Sequence, residues 1–138
     1  MRSTPDGSRW MQARIEGPLF HVSLAGETNG REAEEMYRSV LRECVAGGCS
    51  KLLVDCRELT ADLSPVDRFW FGKVVADENA AVAAGSGVYM RVAFVGRVPL
   101  FEERRLGQIV ATNRGAAVKV TEELEAAYRW LGLEPPAD

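Results

Sequence analysis

Apolar and polar positions alternate with a period of two at the start of the chain and then change to a period near 3.6. Ala13 and Ile15 alternate with Arg14 and Glu16, Gly17-Pro18 breaks the run, and Phe20, Val22 and Leu24 alternate with His21 and Ser23 as far as Gly26. That pattern predicts a β-hairpin. Ala33, Met36, Tyr37, Val40, Leu41, Cys44 and Val45 then recur at helical spacing, with Thr28 and Asn29 as caps before them and Gly47-Gly48 after them. Leu52, Leu53 and Val54, closed by Asp55, read as a strand buried on both faces. A loop is expected from Cys56 to Ser64. Ser64, Pro65, Val66 and Asp67 combine a capping hydroxyl, a first-position proline and an acid in the first turn, which together start a long helix ending at Gly85, Ser86 and Gly87. Val92 to Val95 form the next buried strand, and Pro99 is expected to open a third helix with Leu106, Ile109, Val110 and Asn113 on one side. Val118 and Val120 mark a last strand, after which Thr121 is expected to cap a helix whose inward stripe is Leu124, Ala127, Tyr128 and Leu131.

The resulting order is β-β-α-β-α-β-α-β-α. It predicts an α/β domain: a mixed, mostly parallel five-stranded sheet with about four helices packed on its faces. Residues 1–9 read as a flexible tail, 10–133 as the domain and 134–138 as a second tail. In such sheets ligands meet the loops at the carboxyl ends of the strands. Those loops are Gly26 to Gly30, Cys56 to Ser64 and Gly96 to Phe101.

Composition narrows the chemistry more than the fold. With 138 residues, 46% hydrophobic and 27% charged, the chain has the make-up of one ordinary globular domain rather than a disordered or fibrous one. A net charge of -3 does not supply the basic field that drives nucleic-acid binding. Neither a signal-peptide pattern nor an apolar run long enough to span a membrane is present, and a cytoplasmic location is expected. The single histidine, His21, and the three cysteines, Cys44, Cys49 and Cys56, form no CxxC pair and no metal-ligand spacing. No metal, cofactor or catalytic residue is therefore assigned, and the chain is expected not to be an enzyme. His21 is expected to be a surface or half-buried structural residue.

Several of these segments carry a family resemblance. A hairpin strand ending in Leu24-Ala25-Gly26-Glu27 and a buried strand ending in Leu53-Val54-Asp55 resemble the STAS domain of bacterial anti-sigma-factor antagonists. A strand ending in Val95-Gly96 and the closing Ala126-Ala127-Tyr128-Arg129-Trp130-Leu131 are similar to stand-alone bacterial proteins of the same STAS/SEC14-like fold. The resemblance implies a regulatory module that works by binding a protein partner. It also implies a serine or threonine at the head of the second long helix, phosphorylated by a partner kinase to switch binding off. Ser64 falls at that place, within Leu63-Ser64-Pro65-Val66 where such antagonists carry Asp-Ser-Ser-Gly or Asp-Thr-Ser-Gly.

Ser64 thus has two readings, a regulatory phosphosite and a plain helix cap. Asp55 and Asp62 are close enough in sequence to share a loop beside it. The consecutive Phe69, Trp70 and Phe71 point about 100° apart on a helix, so they cannot all enter one core. Their surplus implies a helix seam, self-association as a homodimer, or a pocket beside Trp70 for a small hydrophobic, lipid-like ligand that the chain would carry or sense. Arg97, Arg104, Arg105 and Arg114 gather positive charge around the third helix, to be offset by Glu102 and Glu103 in surface ion pairs or used on an acidic partner.

Overall fold

A computed structural model describes residues 2–3, 9–97, 100–101 and 105–136. In chain order the elements are β1 (Arg2–Ser3), β2 (Arg9–Glu16), β3 (Leu19–Thr28), α1 (Gly30–Ala46), β4 (Lys51–Ala61), α2 (Pro65–Ser86), β5 (Arg91–Val95), α3 (Leu106–Asn113), β6 (Ala117–Thr121) and α4 (Leu124–Trp130). The predicted order is found, preceded by a two-residue strand. Residues 1–9, read from the sequence as a tail, thus include a piece of sheet, with Arg2 opposite Met11 and Ser3 opposite Trp10.

The strands lie in the order β1-β2-β3-β4-β5-β6. β2 is antiparallel to both neighbours, and β3 to β6 run parallel. Because the parallel strands advance across the sheet in sequence order, right-handed crossovers put α1, α2 and α3 on the same face. Their side chains Tyr37, Val74 and Ala111 join Phe20, Val22, Leu52, Val54, Val92, Phe94, Val118 and Val120 in the main core. The alternate residues of the strands turn to the other face. There Leu19, Leu53, Ala93 and Val95 meet Ala127, Tyr128 and Leu131 of α4 in a second, smaller core.

Three local expectations change. The segment 56–64 is not all loop, because β4 continues to Ala61. A bulge explains why the pattern hid it: Ser23 pairs with Asp55 but Ala25 with Glu58, so β4 spends an extra residue and its alternation changes phase. Cys56 and Leu59, three apart, therefore both face the main core. Thr121 ends β6 instead of capping α4. Its hydroxyl accepts from the Glu123 amide at 3.3 Å, and α4 begins at Leu124 without a side-chain cap. In α3 the buried residue is Ala111, whereas Ile109 and Asn113 are exposed. This helix presses its backbone onto α2: a Cβ at Gly72 would collide with the Gly107 carbonyl oxygen. Pro99, Glu102, Glu103 and Arg104 lie outside the described residues.

Candidate functional site

The carboxyl ends of β3 and β4, paired as far as Thr28 and Ala61, bring the starts of α1 and α2 together. Asn29 caps α1 by accepting from the Glu32 amide at 2.9 Å. Ser64 caps α2 through a reciprocal pair: its hydroxyl accepts from the Asp67 amide at 3.1 Å, and the Asp67 carboxylate accepts from the Ser64 amide at 3.0 Å. The Asp67 side chain also lies against Gly30, where a Cβ would come within 2.7 Å of its Oδ1. The capping role of Ser64 is thus realised, and its side chain is exposed at this end of the sheet. Asp62, just past β4, is exposed here too, and Arg97 is exposed just past β5, whose end lies level with Asp55. Beyond β5, Arg68 of α2 donates to the Leu100 carbonyl at 2.5 Å.

Asp55 is elsewhere. The extended β4 carries it about 20 Å from Asp62 at a strand's rise per residue, and it points to the α4 face. Only 8% exposed, it accepts from Arg57 at Nε (2.9 Å), Nη2 (2.7 Å) and the backbone amide (3.1 Å). Burial alone would push its carboxyl up, but these bonds hold it below the ordinary value. The two acids therefore share no loop, contrary to the expectation from their spacing.

The aromatic triplet divides as helical geometry requires. Phe71 turns inward against Tyr37 and Phe94, with ring centroids 6.0 and 5.7 Å apart. Phe69 and Trp70 remain 37% and 48% exposed and meet edge to face at 5.4 Å. Arg114 stands over Phe69 and Lys73 over Trp70, at 5.8 and 5.9 Å. An apolar cavity of about 80 Å³ lies between the sheet and α1 to α3, lined by Leu24, Met36, Tyr37, Phe71, Phe94 and Phe101 among others. Phe71, and not Trp70, is the member of the triplet that borders it. Its volume is about half that of an engineered cavity of about 150 Å³ that takes up benzene, so a lipid chain would have to push its walls apart.

A polar cluster under α4 escaped the sequence. His21 is 3% exposed, correcting the surface or half-buried expectation. Its Nδ1 lies 2.9 Å from Arg14 Nη2 and 3.0 Å from the Tyr128 hydroxyl, which donates to Glu16 at 3.1 Å. Arg14 also pairs with Glu16. A guanidinium only donates, so Nδ1 accepts and the proton of the neutral ring sits on Nε2, which has no hydrogen-bond partner among the described residues. Desolvation first, and Arg14 second, hold His21 below its ordinary value. The register signal was available, since the short turn at Gly17-Pro18 sets Arg14 opposite His21. Tyr128, 107 residues away, was not. The cysteines are buried free thiols; burial pushes Cys44 up to about 12 and raises Cys49 and Cys56, which keeps the thiolate nucleophile from forming. Among the described residues no group of three or more histidine, cysteine or acidic side chains is placed to hold a metal ion, and no helix is long and apolar enough to cross a membrane.

No protein-family profile matches the sequence, and no curated protein matches it. Solved structures do. An anti-sigma factor antagonist from Mycobacterium paratuberculosis superposes with a TM-score of 0.54 at 20% identity, over 91% of this chain and 94% of that one. An uncharacterised protein of the DUF3478 family with a SpoIIAA-like fold, from Shewanella loihica PV-4, gives 0.47 at 19% identity, over 90% and 93%. The first similarity establishes the fold expected from the sequence: the STAS-like α/β arrangement of an anti-sigma factor antagonist.

Proposed function

We propose that this chain is a non-enzymatic, cytoplasmic regulatory module that acts by binding a protein partner at the carboxyl end of its sheet, around Ser64. The observation that carries the reading is the exposure of Ser64 at the head of α2, within a capping pair that a phosphate would disrupt. A phosphoryl group on that oxygen would stand beside the carboxylates of Asp62 and Asp67, and like charge there would repel and reshape the contact surface. Asp62, two residues before Ser64, flanks the same surface and belongs to the proposed contact. The test is affinity capture from the native host with wild type, Ser64→Ala and Ser64→Glu as baits. One protein held by the first two and lost by the third is the expected result; equal capture by all three, or by none, refutes the reading.

A second reading, carrier or sensor of a small hydrophobic ligand, is supported by the cavity beside Phe71. Its modest volume favours a compact molecule over a lipid chain. Native mass spectrometry of freshly purified protein decides it, because a carrier retains added mass and a chain without ligand does not.

A further inference from the structure

The outward face of α2 has an order that neither the partner surface nor the cavity uses. Val74, Val75, Ala76 and Asn79 are buried beneath the helix. On the opposite side Val66, Trp70, Asp77, Ala80 and Ala84 are exposed and Lys73 is half-buried, at spacings of four and three residues. That spacing keeps them in one straight stripe along the helix. Large apolar groups fill its first two turns, Val66 being 63% and Trp70 48% exposed, and only alanines occupy its last two. Lys73 and Asp77 sit between, in an ion pair of 2.8 Å.

The stripe is complementary to itself when reversed. Laying a second α2 antiparallel on the first, with the two-fold axis crossing the stripe midway between Lys73 and Asp77, sets Val66 against the partner's Ala84 and Trp70 against the partner's Ala80. Lys73 then faces the partner's Asp77. Each bulky side chain meets a small one, and each charge meets its opposite, twice over by symmetry. Such self-complementarity is what an isologous contact requires. The edge-to-face contact of Phe69 with Trp70 already fixes both rings, which lowers the ordering cost of burying them.

We propose that α2 is a self-association surface, through which two copies of this chain pair antiparallel about the midpoint between Lys73 and Asp77. The occupant is a second copy because the pattern supplies both halves of the contact from one helix. The inference is independent of the Ser64 reading, since a monomeric variant can still be tested for partner capture.

Sedimentation equilibrium of wild type should give twice the 15.2 kDa chain mass. Ala80→Arg, on an exposed position, should weaken pairing at least about tenfold, a loss of about 1.4 kcal/mol. Lys73→Asp should do the same by facing acids with acids, and adding Asp77→Lys to it should restore the dimer. Zero-length carbodiimide coupling of mixed heavy-nitrogen and unlabelled chains should yield a Lys73–Asp77 peptide of mixed isotope. A wild-type monomer at every soluble concentration overturns the proposal and leaves the stripe to a different partner. A dimer indifferent to Ala80→Arg, or one without the mixed-isotope peptide, places the contact elsewhere and overturns it equally.

Discussion

His21 shows how a single side chain records its surroundings in a pH dependence. Its value in the folded protein lies below the ordinary 6.5, so between the two the unfolded chain takes up a proton that the folded one refuses. Stability is therefore complete above about 6.5 and falls as the pH drops through that window. Glu16 is lowered from 4.5 despite desolvation, by bonds from Arg14 and Tyr128, and Asp55 from 3.8 by Arg57. Their contributions are present above those ordinary values and disappear at lower pH still. Urea unfolding across a pH series should thus show two acid-driven losses, and His21→Leu should flatten the upper one while leaving the lower. Ser64→Ala should cost about 1 kcal/mol in the same assay, because the Asp67 amide loses its capping acceptor. At this scale the sequence identified the cap correctly, since serine, proline and acid act locally. It missed the His21 cluster because Tyr128 reaches it only after the whole sheet is assembled.

Among the elements, the contact between α2 and α3 depends on the absence of a side chain. Gly72 lets the α3 backbone sit directly on α2, and any Cβ there collides with the Gly107 carbonyl. Gly72→Ala should destabilise the protein by about 1–3 kcal/mol, the usual cost of overpacking, as a lower urea midpoint with an unchanged slope. The same closeness explains why the inward face of α3 was misjudged from its pattern. At so short a separation the small Ala111 becomes the core residue, and the bulkier Ile109 is turned outward. The continuation of β4 was hidden for a different reason: a bulge changes the phase of a two-residue period, so Cys56, Leu59 and Ala61 read as irregular even though they lie in one strand.

Considered whole, the molecule has two unequal cores on opposite faces of one sheet. The larger receives three helices, and the smaller rests on the seven residues of α4. A helix so short has little stability of its own and persists by packing. Amides of α4 should therefore exchange with solvent faster than those of Leu52, Leu53 and Val54, and Leu131→Ala should speed exchange in α4 far more than in β4, as read by hydrogen-exchange mass spectrometry. The proposed pairing through α2 lies on the far side from α4, so the two perturbations should not interact.

The sequence by itself determined the order of the elements, their inward faces along most strands and the capping of α1 and α2, because those depend on periodicity and on neighbours within one turn. Its family resemblance anticipated the fold. Only the tertiary structure decided which face each helix covers, how β4 shifts phase, where Asp55 lies, which two of three adjacent aromatics are left in water, and that His21 is enclosed. Each of those outcomes rests on contacts between residues tens of positions apart, where strand order and close approach, rather than local pattern, set what a side chain meets.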